Sequence, residues 1–256
     1  MRPSRSRALA RHELRLLRRD PFPLILLVAM PLALIAFFKP ALSLALFAEG
    51  HVQATGAEQA VPGLTVTFSF FLVGFVGLVF FREHGWGTWD RLRASAGRRE
   101  ILIGKLVPVA VVAALQIAVL FLVGWAGFGM RVKGSLLALG LLCAALPACP
   151  LALGLAVVAF ARTLQQVNVM ANLGTVVLAG LGGALVPVSL LPGWAGRLAP
   201  AFPTYWAMRG FRAVILDGHG VGAVLLPIGM LLAFAVVLTG LAVARFSFEA
   251  SKVSWA

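Results

Sequence analysis

Charge is scarce in this chain. Asp, Glu, Lys and Arg supply 12% of its 256 residues, about half the share of a soluble domain. The charge present is mostly of one sign, with 22 Lys/Arg against nine Asp/Glu. Cysteine is nearly absent. Cys143 and Cys149 lie in one apolar run, and on a helix that spacing separates them by about 9 Å along the axis, beyond disulfide reach. They read as small apolar side chains. His12, His51, His84 and His219 are scattered, so no metal-ligand spacing arises. No Asp, Glu or His falls deep within an apolar run, which argues against an intramembrane proton relay. Glycine pairs at spacing four are missing from the apolar runs and occur only at Gly218 and Gly222, so no GxxxG dimer seam is indicated. A Walker A loop needs G-x-x-x-x-G-K-[ST]. The single Gly-Lys is Gly104-Lys105; Leu106 follows it, and Arg99 stands where the first glycine belongs. Lys105 is therefore expected to snorkel at the start of a span. No local Ser/His/Asp arrangement offers a nucleophile and its base.

What is abundant is apolar surface. Hydrophobic residues make up 61% of the chain and the mean hydropathy is +0.96. Runs of about 20 such residues fit the thickness of a bilayer. The pattern predicts an all-α polytopic membrane protein with six spans: Phe22–Phe38 (extending toward Phe47, with Pro31 as a kink), Leu64–Phe81, Leu106–Phe128, Leu136–Ala161, Val167–Val188 and Val221–Ala244. The net charge of +13 does not point to nucleic acid, because the basic residues flank apolar runs and no soluble basic domain is present. The N-terminal segment, the loop after span 2, Arg162 and the tail (Arg245, Lys252) hold 16 of the Lys/Arg. Six lie at the other end: Lys39, Arg131, Lys133, Arg197, Arg209 and Arg212. That asymmetry places both termini in the cytoplasm.

Residues 1–20 form a basic segment with Arg7, Arg11, Arg15 and Arg18 on one helical face and Ala10, Leu14 and Leu17 on another. This suits an interfacial helix on anionic lipid, and simple topogenic charge explains it equally well. Asp20-Pro21 should cap and start span 1. The basic start followed by an apolar run has the outline of a signal peptide, but it continues through a full span and lacks a clear cleavage site, so it reads as a retained membrane helix. Residues 21–244 then form one membrane domain, and 245–256 a cytoplasmic tail.

Two segments carry a more specific pattern. The polar island Phe81–Leu106 contains a short helix-forming core, Thr88–Ala94, behind Gly85 and Gly87. Its ordered residues Glu83, Gly87, Thr88, Asp90, Leu92, Ser95, Arg99, Gly104 and Lys105 resemble the cytoplasmic loop of ABC-2-type transporter permeases, of the drug- or antibiotic-exporter kind. The family usually has a Pro near Ala96. After span 5 come Gly183, Pro187, Leu191-Pro192, Trp194, Pro203 and Tyr205. An aromatic belt with helix-ending Pro and Gly accounts for most of these; their order resembles the family's signature beyond the fifth helix. Arg19-Asp20-Pro21 with Pro31, and Gly154–Gln166, also resemble family segments, so the likeness runs from about Arg19 to about Asp217.

The resemblance implies a permease subunit in a prokaryotic cytoplasmic (inner) membrane, exporting a hydrophobic or amphipathic, antibiotic- or drug-like compound. It implies a second permease copy, identical or not, and a separate ABC ATPase subunit that carries the ATP and Mg; this chain itself would hold no cofactor. A coupling helix made of Glu83, Gly87, Thr88, Trp89, Asp90, Arg91, Leu92 and Arg93 would meet the ATPase. Spans 2 and 5 would line the pathway, with Ser69, Phe71, Asn172 and Thr175 as candidates. Short re-entrant helices carrying Gly183, Pro187, Leu191, Pro192, Trp194, Pro203 and Tyr205 would close its outer end. The polar groups within spans (Thr65, Thr67, Ser69, Gln116, Asn168, Asn172, Thr175) are open to a second reading, as hydrogen bonds between helices. Polysaccharide or lipid-linked glycan export, and a non-transporting membrane scaffold, are the alternative functions.

The orientation is testable. A membrane-impermeant thiol reagent applied to intact cells should label a cysteine placed at Ala57 or Gly193 and spare one at Ser95. Labelling at Ser95 in sealed cells would overturn the assignment.

Overall fold

Helices form wherever the apolar runs lie, and those of the second and third runs begin well before them. The computed structural model describes residues 3–245, so Arg2, Lys252 and the tail beyond Arg245 fall outside the described residues. Helix α1 spans Pro3–Arg19, α2 Phe22–Ala48, α3 Ala57–Gly85, α4 Trp89–Ser95 and α5 Arg98–Ala126. They are followed by α6 Leu136–Ala145, α7 Ala148–Phe160, α8 Leu164–Leu181, α9 Gly193–Leu198, α10 Pro203–Ile215 and α11 Leu225–Arg245. Six spans among the described residues are long and apolar enough to cross a membrane, α6 and α7 counting as one, and no strand is present. This is the all-α, six-span architecture expected.

Boundaries differ where polar residues find partners inside the chain. Helix α3 starts at Ala57 rather than Leu64 because the polar stretch before Leu64 is satisfied internally. Gly56 turns the chain back at φ +87°, where an added Cβ would lie 2.1 Å from the Lys39 carbonyl oxygen. Glu58, buried, accepts from the Thr55 amide at 2.9 Å and from the Arg131 amide at 3.2 Å. Helix α5 starts at Arg98 rather than Leu106, with the Glu100 carboxylate accepting from the Gly97 amide at 3.1 Å to close its first turn. Asp20 does not cap α2; Pro21 occupies that position and no side chain caps the helix. Pro31 and Pro40 both lie within α2, which runs on through Ala48. Pro147 separates α6 from α7, because proline cannot donate to the helical ladder. Ala57 is fully buried, so of the two labelling positions expected outside, only Gly193, exposed at the start of α9, is accessible.

Helix α3 is the centre of the molecule. Its most apolar window is 83% buried, against 11% for α2 and 22% for α8. Helices α2, α5, α7, α8 and α10 pack around it, α11 lies against α7 and α10, and α1 lies along α5. The apolar interior forms two clusters stacked along α3. From Val61 to Phe70, α3 joins one cluster with α6 and α10; from Leu72 to Phe81 it joins the other with α1, α7 and the start of α8.

Close approach along α3 rests on glycine. A Cβ at Gly63 would lie 2.0 Å from the Ala184 carbonyl oxygen, and one at Gly77 would lie 2.2 Å from a Val167 methyl. Opposite them, α8 presents Val167, Ala171, Thr175 and Ala179, all buried. Small residues at helical spacing are what tight packing in lipid requires, since lipid chains remove the hydrophobic drive between helices.

Gly63→Ala should therefore destabilise the protein by about 1–3 kcal/mol through overpacking against backbone. Gly174→Ala, with nothing within 4 Å of its Cβ, should be neutral or gain about 0.5–1 kcal/mol. Thermal unfolding in one detergent, both variants side by side, checks the contrast; equal melting points would refute it.

Candidate functional site

Four charged side chains meet where α1, α3 and α5 converge. Lys105 is 1% exposed and so does not snorkel as its sequence position suggested. Its ammonium donates to Glu13 Oε1 at 2.9 Å, to Glu83 Oε1 at 3.0 Å and to the Val79 carbonyl at 2.9 Å. An ammonium has three donors, so all are used. Arg82 donates to the other oxygen of Glu13 and lies 5.1 Å from the Trp86 ring. Two carboxylates face two cations, so the cluster is neutral as a whole, which is what allows it to stay charged away from water. Close contact of α1 with α5 permits the geometry: a Cβ at Gly104 would sit 2.6 Å from Leu9 Cβ.

The same cluster holds α4. Thr88 precedes that helix, but its hydroxyl does not cap it. The hydroxyl donates instead to Glu83 Oε2, and the Thr88 amide donates to the Glu83 carbonyl at 2.9 Å. Gly87, at φ +64°, makes the reversal possible. Trp89 stacks on His84 with ring centroids 4.6 Å apart and is 6% exposed. It therefore anchors α4 to its own chain and is not offered to a partner. The outward surface of α4 carries Asp90, Arg91, Arg93, Ala94 and Ser95, with Leu92 half-buried; Arg93 donates to Asp90 at 3.0 Å.

The pathway candidates separate. Ser69 is fully buried and donates within α3 to the Thr65 carbonyl at 2.8 Å. Phe71 is half-buried against Phe68. On α8, Thr175 faces inward, and its hydroxyl has no partner among the described residues. Asn168 and Asn172 lie on the exposed face instead. Gln116 donates to the Leu27 carbonyl at 3.1 Å and so joins α5 to α2.

At the opposite end the segment after α8 folds into two short helices, α9 and α10. Gly183, at φ +80°, accepts from Gln59 Nε2 at 3.0 Å. Pro187 is buried, Leu191 half-buried, and Pro192 and Trp194 are exposed. Pro203 opens α10, where Tyr205 meets Trp206 edge to face at 5.3 Å. The polar tie of this end runs through Arg212 on α10, which donates to Gln59 Oε1 at 2.8 Å and to Glu49. Glu49 also accepts from Ser189. Burial pushes the Glu49 carboxyl up, but the hydrogen bonds from Ser189 and Arg212, together with the charges of Arg212 and His51, outweigh it and leave it below its ordinary value of 4.5.

Sequence reasoning passed over Glu13, Glu49, Glu58, Gln59 and Arg212 as site residues. Glu13 did leave a signal. It stands between Leu9 and Leu17 on the apolar stripe of an otherwise basic helix, a place that calls for an internal cation.

A bundle of six spans, a short helix clamped between the second and third, and two helices between the fifth and sixth define a multi-pass membrane protein. The chain belongs to the ABC-2 type transporter family, whose pattern matches residues 5–216. It is 27% identical over 187 residues to the linearmycin resistance permease protein LnrN of Bacillus subtilis (strain 168). The match takes in 72% of this chain and 48% of that protein, so the chain spans about half the length of the curated relative it matches. The protein is thus a multi-pass membrane subunit of the ABC-2 class.

Lys105→Met should cost about 3–5 kcal/mol, because it leaves two carboxylates facing one guanidinium. Adding Glu13→Gln restores balance between Glu83 and Arg82, so the double variant should be more stable than the sum of the single effects implies. Unfolding in detergent measures both; strict additivity would show that the four groups do not act together.

Proposed function

We propose that this chain is the permease subunit of an ATP-driven exporter for hydrophobic or amphipathic, antibiotic-like compounds. In this reading residues 1–20 lie on the cytoplasmic face of a prokaryotic inner membrane, 21–244 span it, and 245–256 return to the cytoplasm. A separate ABC ATPase binds ATP and Mg and docks at α4. A second permease copy completes the pathway.

The observation that carries the reading is the clamp on α4. A helix of seven residues would be marginal alone, yet this one is fixed at its start by Thr88 and on its inner side by Trp89. Through Glu83 and Lys105, a push on α4 reaches α1, α3 and α5 together. Helix α3 is the shaft that both apolar clusters share, so movement at one end is carried to the other. Asn168 and Asn172 on the exposed face of α8 give an otherwise apolar wall sparse polar contacts, which suits an amphiphile crossing between two copies. Helices α9 and α10 close the outer end of the route. The Bacillus relative is a linearmycin resistance permease, which supports an antibiotic-like cargo over a glycan.

The test is co-purification of the permease from native membranes with its ATPase, followed by reconstitution. Arg91→Glu, on the outward face of α4, should lower substrate-stimulated ATP hydrolysis and transport about tenfold or more, as loss of a central interface contact does. Membrane insertion and melting temperature should stay at wild-type values. Unchanged transport would remove α4 from the mechanism, and recovery of the chain without any ATPase would favour a scaffold.

A further inference from the structure

Beside the Glu49–Arg212 tie lies a cleft of about 530 Å³, within the size range of small-molecule sites. Tyr205, Arg209, Arg212, Asp217 and His219 line it. Arg209 and Arg212 are one helical turn apart on α10 and so present their side chains to the same side. Arg212 is matched by Glu49, and its two terminal nitrogens hold Gln59 and Glu49. Arg209 is not matched. It lies 5.3 Å from the Trp206 ring centroid, and among the described residues it has neither a hydrogen-bond acceptor nor an ion pair with Asp217. A guanidinium carries five N–H donors in a planar fork suited to oxyanions. The Tyr205 hydroxyl adds a donor that has no partner among the described residues. Val188, Met208, Ala213 and Ala223 line the same cleft. That is an apolar wall beside a cationic socket.

We propose that this cleft binds an amphiphile through its oxyanion head group, a phosphate or a carboxylate gripped by Arg209 and by the remaining N–H groups of Arg212. The alkyl chain lies along Val188, Met208 and Ala213. Arg212 then serves two acceptors, Glu49 on one side and the ligand on the other. Occupancy of the cleft therefore competes with the tie that joins α2 to α10.

The experiment uses the purified full chain in phosphatidylcholine nanodiscs titrated with dodecyl phosphate, with dodecyltrimethylammonium as the matched cation. Saturable binding of the phosphate is expected, weakened about tenfold or more by Arg209→Gln, the loss that follows removal of a charge-assisted bidentate contact. Arg209→Lys should recover part of it, and Arg197→Gln, outside the cleft on α9, should change nothing. Arg209 is exposed and holds no structural partner beyond Trp206, so its variants should melt with the wild type. Arg212→Gln is the second variant and should weaken binding as well. Equal affinity in wild type and Arg209→Gln, or equal binding of the cation, overturns the proposal. Adding phosphatidylglycerol to the discs separates the sources. Competition by the lipid supports a membrane head group as the occupant, and its absence supports a soluble or exported anion. The assay needs neither ATP nor the ATPase, so its failure leaves the export reading standing, and failure of that reading leaves this one intact.

Discussion

The ammonium group of Lys105 is the point on which one end of this molecule depends. A lysine taken out of water must have every donor filled and its charge answered, and here the acceptors come from α1 and α3. The requirement brings α1 against the start of α5, sets the angle at which α3 leaves the bundle, and fixes the position of Thr88. Replace the ammonium with any neutral group of similar size and the helices keep their apolar contacts but lose the reason for their register. Tight packing of Gly104 on Leu9 then has nothing to enforce it. The corner trades stability for definition: an apolar replacement of all four charges could hold as tightly, but it would not select one arrangement of the helices.

The division of the interior into two clusters gives α3 a particular role. Helix α5 also contributes to both, but α3 supplies the most buried residues to each, while Pro147 interrupts the fourth span between them. Helix α3 passes through both without a break, and only its first turns contain a proline, Pro62. Gly77 lets α8 approach, with an added Cβ 2.2 Å from Val167, and Gly154 on α7 lets that helix approach Val76, where a Cβ would lie 2.8 Å away. A continuous helix with small-residue faces can slide or tilt against its neighbours without having to repack large side chains. A shaft of that kind transmits displacement better than a chain of separate contacts.

The architecture was largely legible in the sequence. Apolar runs gave six spans and glycine-rich punctuation gave the turns, because in a bilayer backbone hydrogen bonds must close within the helix and hydropathy alone then marks the segments. The ends of the helices were not legible. The polar stretch from Ala57 to Pro62 looked like a loop since nothing local shows that Glu58 and Gln59 find partners on the segments around Arg131, Gly183 and Arg212. Lys105 looked like a snorkelling residue for the same reason: its acceptors lie 22 and 92 residues away. The short helix after Gly87 was read from its residues, but the inward turn of Trp89 was not, because a seven-residue helix has no periodicity to reveal its buried side. Asn172 and Thr175 lie one turn apart on α8, yet Asn172 is exposed and Thr175 buried, a boundary set by the neighbouring helices and not by spacing.

The corner also carries a consequence in time. Glu13 leaves the ribosome 92 residues ahead of Lys105, which at the usual pace of synthesis is a wait of roughly 5 to 20 s. Until then Glu13 and Glu83 share only the guanidinium of Arg82, and α1 has no third span to lie along. The tie at the far end closes later still, when Arg212 reaches Glu49, 163 residues after it. Biogenesis thus runs from the basic end to the opposite one. The nascent chain is most vulnerable to proteolytic surveillance while its second span is in the membrane and its third is still being made.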